Sequence, residues 1–304
     1  MLFRSGGLLV GIGVALSSFS IVMAALGRLM PPEKRSWAFG IATAAGSLGQ
    51  FVFSPLAASL ISAFGWQYAL LALAISSLSI IVFAVPLTAQ KGPAKTSDEA
   101  ELSMTAAITR AFGHGSYLLL TAGFFVCGFQ LAFVTVHLPP YLAEHGISKE
   151  LAGLAMGLIG LFNVVGSYSS GVIGGKVAKR FPLSAIYLLR SAIVTLFILA
   201  PISNLTTVLF TASLGLLWLS TVPLTMGLVT VMFGTRYMAT LYGFVFLSHQ
   251  LGSFLGVWIG GRLYDAYGTY DPVWWIGVAL GLFAAIVHLP IRERVAESFR
   301  SEEH

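Results

Sequence analysis

Charged side chains are scarce in this sequence and are confined to a few short clusters. Only 10% of the 304 residues are charged, 57% are hydrophobic and the mean hydropathy is +0.86, values outside the usual range of soluble globular domains. The single cysteine, Cys127, excludes a disulfide framework and a thiolate metal site. The sequence also lacks the lysine-bearing glycine motif that binds nucleotide phosphates, which excludes an ATP-driven pump within this chain.

Nine long and almost uncharged stretches separate the charge clusters. About 20 apolar residues cross the hydrocarbon layer as a helix, and each stretch is long enough to do so. Helical hydropathy repeated in this way argues against a β-barrel, whose strands alternate over about ten residues. The sequence therefore predicts an all-α membrane protein, a polytopic helix bundle with nine transmembrane helices at 6–29, 37–63, 66–88, 115–138, 150–174, 183–203, 206–233, 237–263 and 272–291.

Successive connections between the predicted helices lie alternately on the two sides of the membrane, and the basic residues are divided unequally between these sides. Thirteen fall on one side and three on the other, so the positive-inside rule places the richer side and the C-terminus in the cytoplasm. The residues that we expect to fix topology in this way include Arg35, Lys176, Lys179, Arg180 and Arg236. This flanking pattern accounts for the net charge of +5, and we expect no nucleic-acid partner.

One long polar segment divides the predicted helices into a group of three and a group of six. The sequence thus predicts a partial N-terminal bundle at 1–88, a cytoplasmic central loop at 89–114, a C-terminal six-helix bundle at 115–291 and a cytoplasmic tail at 292–304. The first three and the last three predicted helices each contain, in the same order, a basic residue, a glycine, a Gly-Ser pair and a turn on the outer side. Parallel repeats of this kind relate the halves of many transporters, and by this comparison three helices would be missing before Met1.

On these features the chain resembles a major facilitator superfamily transporter that begins at its fourth helix, over essentially its whole length. The resemblance is carried by Gly11-Ile12-Gly13, Pro32-Glu33-Lys34-Arg35, Gly46-Ser47-Leu48-Gly49-Gln50, Phe64-Gly65-Trp66 and the turn from Leu263 to Asp271. The two turns are most similar to the monocarboxylate-transporter and oxalate–formate-antiporter branch. The resemblance implies an N-terminally truncated bundle of this type and secondary transport by alternating access.

Large hydrogen-bonding side chains occur at mid-depth of five different predicted helices. A polar group in the hydrocarbon layer is costly, so each one indicates either a functional site or an interhelical hydrogen bond. In the resembling fold, the helices that bear them line the central cavity. We therefore expect a solute site built from Gln50, Gln130, Asn163, Trp218, Thr221, His249 and Gln250.

Packing is the alternative interpretation of the same side chains, because an interhelical hydrogen bond stabilises a bundle by about 0.6–2 kcal/mol. For Gln50 and Asn163 the two interpretations stay open. For His249 and Gln250 we favour function, since neighbouring helical residues point about 100° apart and one of the two can face a cavity. His249 also titrates near neutral pH in its unperturbed state, which makes it a candidate proton carrier.

Charged groups within the predicted spans are almost absent. All twelve carboxylates lie in loops or at helix ends, so coupling through a buried acid is not supported by the residues present. Arg190 is the one basic residue inside a span, and we expect it to extend to the cytoplasmic interface. The cavity helices carry no cation at mid-depth, which weakens an assignment of monocarboxylate specificity.

Glycines recur every four residues in the eighth predicted helix, at Gly252, Gly256 and Gly260. Small residues at this spacing let helix backbones approach closely, which predicts tight packing in a bundle.

The sequence as a whole predicts a secondary active transporter of a small organic solute, a carboxylate being one candidate, in a bacterial inner or plasma membrane. We expect a monomer whose partners are the solute, the lipid bilayer and a co-transported ion or proton. No grouping of residues indicates an enzyme, a metal site or a cofactor. The alternatives are a truncated or non-transporting membrane protein and a multidrug-type exporter with a larger, more aromatic cavity.

Overall fold

The computed structural model describes residues 2–88, 102–297 and 299. Within these residues the chain forms twelve α-helices and no strands. The helices are α1 (Leu2–Leu16), α2 (Phe19–Leu29), α3 (Pro32–Ser77), α4 (Ser79–Thr88), α5 (Met104–Phe112), α6 (Gly115–Glu144), α7 (Lys149–Gly174), α8 (Arg180–Leu199), α9 (Asn204–Leu217), α10 (Thr221–Phe233), α11 (Met238–Tyr267) and α12 (Asp271–His288).

Seven helical stretches of the described chain are long and apolar enough to cross a membrane, judged by length and composition. The predicted count of nine is therefore not confirmed, and the difference lies in the first 88 residues. The first predicted span is broken where Ser17 donates to the Gly13 carbonyl and Ser18 is extended, which leaves two short helices. The second and third spans run together as α3, with a bend at Gly65, whose φ of 82° suits glycine.

The predicted central loop contains a short helix. Residues 89–101 lie outside the described chain, but Ser103 Oγ accepts the Ala106 N–H and so caps α5 at its start. Ala107 and Ala111, one helical turn apart, bury their methyl groups against the bundle. Hydropathy alone did not predict this helix, because the charged residues earlier in the loop lower the average hydropathy of the segment.

The tight packing of the C-terminal bundle centres on α6 and α11. A Cβ added at Gly252 or Gly256 of α11 would overlap the carbonyl oxygen of Phe125 or Phe129 on α6. One turn further, a Cβ at Gly260 would lie 2.6 Å from the Nε2 atom of His137. The every-fourth glycines thus form the face along which these two helices touch, and any larger residue there would separate them.

The first part of the chain meets the C-terminal bundle mainly through α3 and α7. Near the end that carries the basic residues Arg35 and Lys179, which we name the basic end, a Cβ on Gly40 would lie 2.8 Å from the Gly171 Cα. Towards the opposite end, Gly49 and Gly153 have no neighbouring atom within 4 Å of a Cβ. The two parts are therefore in close backbone contact at the basic end.

The predicted tail folds back onto the basic end. The Ala296 N–H donates to the Met232 carbonyl at 3.0 Å, and the side chains of Ile291 and Phe299 are buried. Residues 298 and 300–304 lie outside the described chain. Apolar side chains spaced along this segment explain why it packs, although charges flank them.

Candidate functional site

A break in one membrane-spanning stretch lies at the centre of the candidate site. The stretch from 206 to 233 was predicted as one helix, but α9 ends at Leu217 and α10 begins at Thr221. Pro223 explains the break, because proline has no N–H and its ring clashes with the carbonyl four residues earlier. Backbone groups freed at mid-span must find partners inside the protein, since lipid offers none.

Arg190 supplies donors to the carbonyl oxygens that the break exposes. Its Nη2 donates to the Leu217 oxygen at 2.6 Å and also to the Trp218 oxygen. The side chain is only 1% exposed, so the predicted extension to the membrane interface is wrong. The physical reason is the end of α9, where unpaired carbonyls carry the negative end of the helix dipole and attract the guanidinium.

Asn163 accepts a hydrogen bond from a backbone N–H at the break, and it also links the break to the first part of the chain. Its Oδ1 accepts the Leu219 N–H at 2.8 Å and the Ser167 hydroxyl at 3.0 Å. Its Nδ2 donates to Ser47 Oγ on α3 at 2.7 Å. Asn163 is fully buried, so this amide fixes α3, α7 and the break relative to one another.

Gln130 lies beside Arg190 and links α6 to α12. Its Nε2 donates to the Gly277 carbonyl at 2.9 Å, and its Oε1 accepts from Arg190 Nη1 at 3.5 Å. A cavity of about 20 Å³ adjoins this pair, lined partly by Trp218 and Trp274. That space is about enough for one water molecule.

The remaining predicted residues differ in their exposure. Thr221 is buried, and its hydroxyl lies 3.3 Å from Cys127 Sγ. His249 is 8% exposed and stacks on Phe246, with its Nδ1 3.2 Å from the Gln250 side-chain oxygen. Gln250 and Gln50 are exposed.

The structure thus separates the seven predicted residues into two sets. Gln130, Asn163, Trp218 and Thr221 are buried at or beside the helix break, and the two amides have internal hydrogen-bond partners. Gln50 and Gln250 are exposed, and His249, which is as buried as Gln130, lies beside Gln250. The sequence analysis placed Arg190 at the interface, gave Ser47 no role in the site and did not predict the break. Pro223 within a predicted span was the available signal for the break.

The predicted topology residues lie around the basic end. Arg35 Nε donates to the Gly27 carbonyl at 2.9 Å, and Arg180 Nη1 donates to the Ile291 carbonyl at 3.2 Å. Lys179 forms an ion pair with Glu293 of the tail, with 2.5 Å between Nζ and Oε1. Lys176 and Arg236 are exposed.

Comparison with known proteins gives the following similarities. The family model described as Major Facilitator Superfamily matches residues 3–257. Monocarboxylate transporter 13 of Rattus norvegicus is 27% identical over 88% of this chain and 62% of its own length. An uncharacterized MFS-type transporter, YcxA, of Bacillus subtilis is 26% identical over 84% of this chain and 64% of its own length. A crystal structure of the E. coli fucose:proton symporter aligns with a TM-score of 0.70 at 18% identity, over 88% of this chain and 72% of that one. The chain spans slightly under two thirds of the length of these curated relatives.

Proposed function

The chain belongs to the Major Facilitator Superfamily, and from this premise we propose that it is a secondary active transporter of a small organic solute. The observation that carries the proposal is the broken helix at mid-span, whose freed backbone groups are held by Arg190 and Asn163. In transporters, solute sites lie near the bilayer midplane beside discontinuous helices. Alternating access follows if the closed basic end and the opposite end open in turn.

The favoured solute class is a small carboxylate. Arg190 puts a positive charge at mid-span, where a charge is poorly screened and attracts an anion over several ångströms. Sequence reasoning expected Arg190 at the interface and found no cation at mid-depth of the cavity helices, and it counted that absence against a carboxylate. The similarity to a monocarboxylate transporter supports the same class.

We assign the seven residues two roles, according to whether they are buried at or beside the helix break or lie at or next to an exposed glutamine of α3 or α11. Gln50, His249 and Gln250 contact the solute, and His249 is the candidate proton carrier. Gln130, Asn163, Trp218 and Thr221 form the supporting wall and fix the geometry of the break.

The orientation and the number of crossings belong to the same proposal. The basic end faces the cytoplasm of a bacterial inner or plasma membrane, together with the C-terminal segment. The chain crosses nine times if α1 and α2 together form one crossing and α3 divides at Gly65 into two, the second continuing into α4. The protein works as a monomer, with the solute and a proton or ion as its partners.

Transport in proteoliposomes tests the proposal directly. The purified chain is reconstituted, a pH gradient is imposed, and uptake of labelled lactate, pyruvate, oxalate and formate is compared with uptake of a neutral sugar. We expect uptake of at least one carboxylate and its loss in His249→Ala. His145→Ala, which changes an exposed histidine at the end of α6, is the matched control. Absence of uptake by the folded chain would overturn transport, and uptake that is insensitive to His249→Ala would remove His249 from the site.

A further inference from the structure

Arg190 is a buried cation without a carboxylate partner in the part of the chain that the structure describes. Its side chain is 1% exposed, and its guanidinium stays charged because an arginine does not lose its proton in a protein. The described carboxylates lie at helix ends or in the folded-back tail, and the ion pair found among those residues joins Lys179 to Glu293. A buried charge is costly unless an opposite charge is close to it. The carbonyl oxygens at the helix break reduce this cost but carry no net charge, so charge balance requires another group.

The sulfur of Cys127 lies next to the Arg190 guanidinium. Arg190 Nη1 donates to Cys127 Sγ at 3.6 Å, and the Thr221 hydroxyl lies 3.3 Å from the same sulfur. Cys127 is fully buried in α6 and is the only cysteine in the sequence. A neutral thiol is a weak acceptor, whereas a charged acceptor forms stronger hydrogen bonds with such donors. The arrangement therefore favours a negative charge on this sulfur.

Tyr187 provides a second and independent indication. Its side chain is fully buried, and its hydroxyl, which lies near Cys127, has no hydrogen-bond partner among the described residues. A buried hydroxyl in this state is unfavourable, and such groups in folded proteins normally have a partner. A negatively charged sulfur attracts this donor strongly, whereas a neutral thiol attracts it only weakly.

The other groups around Cys127 include a route by which a proton reaches it. The titratable and charged side chains on the neighbouring helices are Arg190 and Tyr187 of α8, His249 and Tyr242 of α11, and His288 of α12, which stacks on Tyr187. His249 lies next to Cys127, and its Nδ1 is 3.2 Å from the side-chain oxygen of the exposed Gln250. His249 thus connects the buried sulfur to an exposed polar side chain of α11.

We propose that Cys127 is the buried acid of this protein, with its thiolate paired to Arg190, and that it takes up the co-transported proton. In the transfer, the imidazolium of His249 gives its N–H proton to the sulfur, which leaves a neutral imidazole and a neutral thiol. No group is oxidised or reduced, so the step needs no further reactant. A carboxylate is therefore not required at mid-span for coupling to a proton.

Protonation of Cys127 changes the charge that an anionic solute meets. While the sulfur is charged, it balances Arg190, and the pair attracts a carboxylate only weakly. Once the sulfur is protonated, the charge of Arg190 is unbalanced and attracts the anion. Uptake of a proton thus favours binding of the solute, and by linkage the solute favours uptake of the proton. This coupling rests on the proposed transport, whereas the charge on the sulfur can be measured without it.

Infrared spectroscopy of the purified chain measures the charge on the sulfur. A thiol has an S–H stretching band and a thiolate has none, and with one cysteine in the chain the band reports Cys127 alone. In uncharged detergent at about pH 7, where an ordinary thiol is mostly protonated, we expect the band to be several-fold weaker than in a control thiol. The control is Thr211→Cys in a Cys127→Ser background, because Thr211 is also fully buried but its hydroxyl bonds carbonyls of its own helix.

Two variants connect the weak band to the neighbours of Cys127. Arg190→Met removes the balancing cation and should raise the S–H band to the intensity of the control. Thr221→Val removes the hydroxyl next to the sulfur with little change of shape and should raise the band in part.

Proton-driven uptake tests the coupling in the proteoliposome assay. Cys127→Ser keeps a hydrogen-bonding group of similar size but removes the acid, and it is expected to lower carboxylate uptake several-fold. Cys127→Asp restores an acid beside Arg190 and should retain more uptake than Cys127→Ser. Thr211→Ser, a change at an equally buried hydroxyl, should leave uptake at the level of the parent protein.

The two measurements separate failure of this proposal from failure of the proposed transport. A Cys127 band as strong as that of the control thiol overturns the charged sulfur, and uptake by Cys127→Ser equal to that of the parent overturns its role in coupling. In both cases uptake by the parent protein still supports transport. A weak band in a chain that takes up no carboxylate supports the ion pair and overturns transport.

Discussion

Gly40 and Gly171 meet backbone to backbone where α3 crosses α7. A Cβ on Gly171 would lie 2.6 Å from the Gly40 Cα, and one on Gly40 would lie 2.9 Å from the Ser167 carbonyl oxygen. Because the nearest atoms are backbone rather than flexible side chains, the helices must separate to admit any side chain. This backbone crossing of α3 and α7 closes the basic end.

Gly171→Val should therefore open the basic end. We expect the valine to separate α3 from α7 and to expose Ser36, which is buried in this structure. The measurement is the rate at which a maleimide labels a cysteine introduced as Ser36→Cys, in a background with Cys127→Ser. The rate should rise several-fold, because labelling follows the population of the open state.

Gly153→Val is the matched control for that experiment. Gly153 lies on the same helix, and a Cβ there meets no atom within 4 Å. Its valine should leave the labelling rate at the level of the parent protein. Equal labelling in Gly171→Val and the parent would show that the Gly40–Gly171 contact does not hold the basic end closed.

Arg190→Met should destabilise the protein by leaving the carbonyls of Leu217 and Trp218 without a donor. Each buried acceptor that loses its partner costs about 1–3 kcal/mol, so a fall in Tm of several degrees is expected in detergent. Arg262→Met provides the comparison, because Arg262 is exposed and surface substitutions usually change stability by less than about 0.5 kcal/mol. An unchanged Tm for Arg190→Met would mean that water replaces the guanidinium as the donor to these carbonyls.

The hydrogen bond between Asn163 and Ser47 can be isolated by a double-mutant cycle. Asn163→Ala and Ser47→Ala should each lower the free energy of unfolding, and the pair should show a coupling of about 0.5–1.5 kcal/mol. Ser248 serves as the control partner, because its hydroxyl bonds the Thr121 carbonyl, away from Asn163. Coupling to Ser248 as large as that to Ser47 would show a global effect rather than a shared hydrogen bond.

Features that extend over many residues, such as the positions of whole helices, were predictable from the sequence. Local irregularities, such as a break within a helix, were not. Apolar length placed the helices of the C-terminal bundle, and the glycine spacing of α11 predicted close packing, because both depend on an average over many residues. The break at 218–220 depends on one proline and on donors from other helices, which hydropathy does not report. Arg190 was misplaced for the same reason, since its partners are backbone carbonyls that exist only in the broken conformation.

We expect the stability of the basic end to depend on pH through His114. It precedes α6, outside the membrane-spanning segments, and its Nδ1 is buried without a hydrogen-bond partner among the described residues. Burial, and after it the positive charge of Arg294 in the tail, hold the pKa of His114 below its usual value of 6.5. The protonated ring is therefore less favourable in the folded protein than in the unfolded chain.

The lowered pKa of His114 determines whether acidification stabilises or destabilises the protein. Above pH 6.5 the ring is neutral in both states and contributes no difference, whereas below it the unfolded chain binds the proton first and unfolding becomes more favourable. Tm should thus fall as the pH decreases from about 6.5 through the folded-state pKa, and His114→Gln should show a smaller fall. His145→Gln, a change at an exposed histidine, should keep the full fall. If His114→Gln and the parent protein lose stability equally on acidification, the loss must come from other groups.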